Sequence, residues 1–328
     1  MATNEELRSK FEGTAIGAAV GAALGKTVHN IPKTEVSNFY GKPITDFIRP
    51  HPSTPYDFLL PEEVPAEVEL LRLLLESLVE NKKFDPYDFV WRVIKWLSET
   101  EVHKYLNPTV LNTLRALSLG EALEEVYQKS SSIDTVLHTV ALGMFHYNDP
   151  FLAAEAARIA AAVFVKGKDS DEGAQIIGAA TSLLIEGEFD LSEKEEKFRF
   201  LEELSQSCPN LSIGTKYLEK VKEALKKELK LEEAIKFFGN GEYIWESLPL
   251  SLYLFLKDIS YPQRAFLNAI NAYGEYGGAT AAIGFLVGAW IGAYWGIEIF
   301  PPKWVEKVEH SNQLLELADK LCEILLES

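Results

Sequence analysis

Glycine recurs at every fourth position in two stretches near opposite ends of this chain, and that spacing restricts the fold more than any other feature. In Gly277–Gly296, GGATAAIGFLVGAWIGAYWG, glycines stand at 284, 288, 292 and 296; in residues 13–25, GTAIGAAVGAALG, they stand at 13, 17, 21 and 25. Positions four apart share one face of a helix, so each stretch carries a strip without side chains along which another backbone can approach closely. Each glycine costs a helix about 1 kcal/mol relative to alanine, which tight packing must offset. The strips predict a central helix pair that joins the first and last segments and argues against a domain boundary between them. A membrane span is the competing reading of the apolar run, because small residues at this spacing also mark membrane-helix contacts. Against it, the run has no basic flank, the chain has no second convincing span, and Glu298 and the PPKW turn follow directly.

The rest of the chain reads as helices. Thr3 with Glu6 forms a capping box opening the first glycine-striped helix, which should end near His29–Asn30. Residues 31–61 hold six prolines and form a long irregular segment, a kind usually functional or disordered inside a compact domain. From Glu62, EEVPAEVELLRLLLESLVE is apolar at helical spacing. Asp85–Pro86, Asn107–Pro108 and Asp149–Pro150 each place a capping residue before a proline at the first helical position. Residues 190–238 differ in texture, being amphipathic and laced with Glu–Lys pairs, and read as a charged surface insert. Alternating strand patterns are almost absent. The expectation is an all-α chain, one domain spanning 1–328 with the charged helical insert around 190–238.

Composition narrows the partners. A net charge of −17 with no basic patch disfavours nucleic acid and repels anionic ligands unless a local site overcomes it. Cys208 and Cys322 show neither metal spacing nor a disulfide framework, and the N-terminus is unlike a signal peptide; a reduced cytoplasmic protein is the expectation. Abundant Glu and Lys with scarce Gln also match a thermophilic composition.

Reactive constellations are few. The six histidines are scattered, with no HExxH spacing and no Walker loop. Gly277–Gly278 open a helix whose backbone N–H groups suit a phosphate. Several segments in order nevertheless resemble the ADP-ribosylglycohydrolase family (dinitrogenase-reductase-activating glycohydrolase type): FEGTAIGAAVGAALGKTV, ESLVE, VALGMFHYNDPFLAAEAARIAAA, ESLPLSLYLFL, NAINAYGEYGGATAAIGFLVGAWIGAYWG and IFPPKWVE. The resemblance covers most of the chain outside the charged insert. It implies a compact all-α domain whose cleft holds two magnesium ions and cleaves ADP-ribose from modified proteins or small molecules.

The departures fall on the metal ligands. Where the family has a TDDT-like motif, this chain reads Pro65, Ala66, Glu67, Val68, and where it has GGDTDT, this chain reads Gly277, Gly278, Ala279, Thr280, Ala281, Ala282. The family's GD and catalytic glutamate positions fall on Ala22 and His29, its SNG-like turn on Ser132, Ile133 and Asp134, and a later histidine near Val165. Two adjacent dications require several carboxylates, which one glutamate and a threonine do not supply. The expectation is therefore no metal cofactor, and two readings stay open. One is a non-catalytic member that binds ADP-ribose or a related nucleotide, or serves as a scaffold. The other is a metal-independent hydrolase of an ADP-ribosyl or other N- or O-glycosidic bond, acting through two carboxylates. The candidates are Glu67, Asp134 and His29 for catalysis, with Ser132, Gly277, Gly278, Thr280 and Glu275 for ligand contact.

Overall fold

The structure, a computed structural model, describes residues 3–126 and 128–327. Among these residues the fold is all-α, with no strand and two isolated bridges, Ser132 to Tyr243 and Gly274 to Gly277. The first half contains α1 (Asn4–Gly25), α2 (Lys33–Tyr40), α3 (Ala66–Asn81), α4 (Pro86–Glu99), α5 (Pro108–Ser118), α6 (Val140–Phe145), α7 (Pro150–Ala162) and α8 (Lys168–Glu186). The second contains α9 (Lys194–Ser207), α10 (Ile213–Lys227), α11 (Leu231–Phe238), α12 (Ile244–Lys257), α13 (Pro262–Ile270), α14 (Thr280–Trp295), α15 (Pro302–Lys307) and α16 (Ser311–Glu327).

The local signals explain the helix starts. Thr3 and Glu6 form both halves of the capping box, and the side chains of Asp85, Asn107 and Asp149 each cap a helix whose first residue is proline. α3 begins at Ala66, four residues later than the apolar pattern from Glu62 suggests, because Pro65 takes the capping position in extended backbone. The proline-rich segment after α1 contains one short helix, α2, and otherwise turns. The apolar faces of α9, α10 and α11 (Leu204, Val221 and Phe238 among them) join the same continuous core as α1 and α14.

α1 and α14 are the centre of that core and run antiparallel. A Cβ on Gly17 would lie under 3.0 Å from the carbonyl of Gly288, one on Gly21 equally close to that of Gly284, and one on Gly25 to that of Thr280. The glycine strips therefore bring two main chains together, and any side chain there meets immovable backbone. α14 spans 16 residues, and no helix among the described residues is long and apolar enough to cross a membrane. Alanine at an unconstrained helical site gains about 1 kcal/mol over glycine. Here Gly21→Ala and Gly288→Ala should instead destabilise by about 3 kcal/mol or more, read from chemical denaturation midpoints. Unchanged or raised stability would refute the close-contact account.

Candidate functional site

The junction of α1 and α14 brings together residues far apart in sequence. α1 ends in a short 3-10 turn, Lys26–Val28, capped by His29, which is buried at 2% exposure. Its Nδ1 accepts the backbone N–H of Ala281, in the first turn of α14, at 3.3 Å. The ring proton therefore lies on Nε2, which donates to Glu242 Oε1 at 2.7 Å. Asn30, held at φ 60°, donates from Nδ2 to the same oxygen at 3.2 Å. Its backbone N–H donates to Gly278 O at 2.8 Å.

Glu242 ends the turn before α12 and is tied to the 3-10 turn Ile133–Thr135 by the hydrogen bond from Ile133 N–H to its carbonyl, 2.8 Å. That turn carries Asp134, both of whose oxygens accept from Asn107 Nδ2, at 3.0 and 2.9 Å. Glu67 lies in the first turn of α3 at 6% exposure. Its Oε1 accepts from the Tyr56 hydroxyl at 3.3 Å, while Oε2 is buried without a partner. The fully buried Tyr56 ring packs edge-on against His29 and against Tyr105, with centroids 5.2 and 5.3 Å away.

Environment separates these acids. Burial is the largest influence on Glu67, and with the charges of Asp134 and Glu242 it raises the carboxyl to about 8 despite hydrogen bonds from its own backbone N–H and from Tyr56. Burial, then Glu242, raises Asp134 against the hydrogen bonds of Ser132 and Asn107. Burial also opposes the ionisation of Glu242, but the hydrogen bond from His29, with those from Asn30 and Ser132, outweighs it and holds that carboxyl below its usual range. One protonated and one ionised carboxyl close enough to influence each other is the arrangement that acid–base chemistry uses.

The structure brings Glu67, Asp134, His29 and Ser132 into this cluster, and adds Glu242, Asn107, Asn30 and Tyr56. Glu242 carries one local signal, its place in the GNGE turn before an apolar helix, but nothing in the sequence pairs it with His29. The remaining candidates have other surroundings. Thr280 donates its hydroxyl to Gly25 O at 2.7 Å. Gly277, at φ +95°, has no room for a Cβ beside the Asn30 backbone, and Gly278 none beside Asn240. Glu275 is exposed on the intervening turn. Ala281, at a position that the resemblance assigns to a metal-binding aspartate, packs with Tyr56 and Leu59 in a small apolar cluster of its own. Ala282 is buried in the main core.

A second charged group starts from the same first turn of α3. Glu69, Glu309 and His310 are the one set among the described residues whose potential ligand atoms lie within 4.8 Å of one another. The Lys104 ammonium already bridges two of them, donating to Glu69 Oε1 at 2.7 Å and Glu309 Oε2 at 2.5 Å.

Fold and site thus define an all-α protein with a cluster of partly ionised carboxylates where its central helices meet. The family model for ADP-ribosylglycohydrolase matches residues 3–327, and the chain belongs to that family. An uncharacterized protein of Archaeoglobus fulgidus is 25% identical over 97% of this chain and 97% of its own length. ADP-ribosylhydrolase ARH3 of Mus musculus is 25% identical over 98% of this chain and 93% of its own. A solved structure titled ADP-ribosylglycohydrolase-related protein complex shares the fold with a TM-score of 0.73 at 21% identity, covering 98% of this chain and 99% of that one.

The raised Glu67 carboxyl sets a pH dependence. The folded state keeps this proton to about pH 8, whereas the unfolded chain loses it near the usual glutamate value, so the folded state binds more protons between the two. Stability therefore falls as pH rises across that window and levels off above it. Glu67→Gln should gain on the wild type progressively from pH 5 to pH 8 in denaturation midpoints. A difference independent of pH would overturn the assignment.

Proposed function

We propose that this chain binds ADP-ribose or a related nucleotide at the Glu67–Asp134–Glu242–His29 cluster without magnesium, and that the two-metal hydrolysis implied by the family resemblance does not run here. The observation that carries this reading is Ala281. A hard dication needs oxygen ligands in near-octahedral array, and at this position a methyl group packs against Tyr56 and Leu59 instead. The neighbouring Thr280 hydroxyl is engaged with Gly25 O. The carboxylates that remain are met by donors of the protein itself, from His29, Asn30 and Asn107. Glu242, whose carboxyl is held below its usual range, and Asp134 offer carboxyl oxygens as acceptors for the hydroxyls of a ribose.

Calorimetric titration with ADP-ribose tests this directly. Binding should occur with equal affinity in magnesium and in EDTA, and Glu242→Gln should weaken it about tenfold, the cost of a hydrogen bond to a charged group. Affinity that appears only with magnesium would overturn the metal-free reading.

A second reading, metal-independent hydrolysis of an N- or O-glycosidic bond, is favoured by the opposed shifts of Glu67 and Glu242. Protonated Glu67 would act as general acid and ionised Glu242 as base or nucleophile. Release of ADP-ribose from an ADP-ribosylated substrate in EDTA should then fall as pH rises through about 8, where Glu67 loses its proton. Glu67→Gln and Glu242→Gln should each abolish it. Turnover that survives both substitutions would exclude this mechanism.

A further inference from the structure

The turn between α4 and α5 is built in a conformation that its residues do not favour. Lys104 and Tyr105 stand consecutively at φ 46° and 60°, in the left-handed region that residues other than glycine and asparagine rarely enter, and seldom in pairs. What holds them there is visible on one side only. The Lys104 ammonium is clamped between Glu69 and Glu309, and its carbonyl accepts the N–H of Ala66 at the start of α3, 3.1 Å. Glu69, 2% exposed, is itself fixed by Arg72 at 3.0 and 2.9 Å and by His310 at 2.8 Å. Two residues after Tyr105, Asn107 grips Asp134.

A buried ion network thus anchors the near end of the turn, and the far end is part of the site. Between them Tyr105 is left 46% exposed, its ring edge-on to Tyr56. Tyr56 in turn packs edge-on against His29 and donates its hydroxyl to Glu67, so Tyr105 borders the cluster, and burial with the charges of Glu242, Asp134 and Glu67 raises its hydroxyl. Strained backbone that its surroundings over-determine is a recurrent mark of ligand clamps. An aromatic face beside carboxylate acceptors suits a sugar ring, whose C–H face lies on the aromatic while its hydroxyls donate to the acids.

We infer that Tyr105 is a ligand-contacting residue whose ring stacks on the ribosyl ring held by Asp134 and Glu242, and that Lys104 is the positioning residue that presents it. This rests on the metal-free binding reading above and assigns the part of the ligand that the cluster recognises.

The test titrates wild type, Tyr105→Phe, Tyr105→Ala, Lys104→Met and the Lys104→Met/Tyr105→Ala double variant with ADP-ribose and with ribose 5-phosphate, each first checked for folding by thermal unfolding. Tyr105→Ala should lose about tenfold in affinity for both ligands, in the range of aromatic stacking, and Tyr105→Phe should stay within about threefold of wild type. Lys104→Met should lose affinity, and the double variant should bind no more weakly than Tyr105→Ala alone, since the lysine acts through the ring. Unchanged binding by Tyr105→Ala overturns the inference while leaving the metal-free reading intact. Loss confined to ADP-ribose, or no binding of ribose 5-phosphate by wild type, overturns the assignment to the sugar. Independent losses that multiply in the double variant overturn the role of Lys104. Wild type that binds neither ligand overturns both this inference and the reading beneath it.

Discussion

Where α1 and α14 cross, carbonyl groups of one helix occupy the places that side chains would take on the other, at Gly17 against Gly288 and Gly21 against Gly284. Almost every other feature follows from that contact. It fixes the two ends of the chain in antiparallel register, with the end of α1 beside the start of α14. The last turn of one helix supplies His29 and Asn30, and the first turn of the other supplies the N–H of Ala281 that chooses the histidine tautomer. The close approach that organises the core also builds the site, because a larger residue at Gly25 would push Thr280 and Ala281 away from the His29 ring.

Around that junction the protein collects acids that burial penalises. Isolated buried carboxylates are expensive, and proteins meet the cost by pairing, by hydrogen bonding or by keeping the proton. All three occur here within one cluster. Glu242 is paired and bonded by His29 and Asn30, Asp134 is gripped by Asn107, and Glu67, with one oxygen bare of partners, keeps its proton. The separation of their protonation states comes from the unequal supply of donors, since burial acts on all of them in the same direction.

The fold was largely legible in the sequence because its determinants are local. Four-residue glycine spacing, the Thr3–Glu6 box and three cap-proline pairs each depend on residues within a turn or two of one another. The site was legible only in part. Glu67, Asp134, His29 and Ser132 came from a register with related sequences, whereas the pairing of His29 with Glu242 spans 213 positions and nothing local marks it. Tyr56 and Tyr105 lie in irregular or strained backbone, where periodicity carries no information. Gly277 and Gly278 illustrate the opposite difficulty. Paired glycines before a helix read as room for a phosphate, yet Asn30 and Asn240 crowd the space where their side chains would be. Absence of a side chain records that something is close, and the sequence does not say whether it is a ligand or the protein itself.

Charge then limits how a nucleotide is oriented in the proposed reading. With Glu67 protonated, the cluster presents Glu242, whose carboxyl is held below its usual range, beside Asp134, and His29 donates to Glu242 from Nε2. A dication would reverse the sign of such a site and draw in a diphosphate. Without one, a diphosphate placed here adds like charge to a chain already at −17. Neutral hydroxyls have no such cost, because they donate to ionised oxygens and replace water one for one. The ribosyl end of the ligand must therefore face the acids, and the phosphates must extend away from them. In that reading, recognition at this cluster depends on hydroxyl donors and ring faces, and the affinity for phosphate has to be supplied elsewhere on the surface.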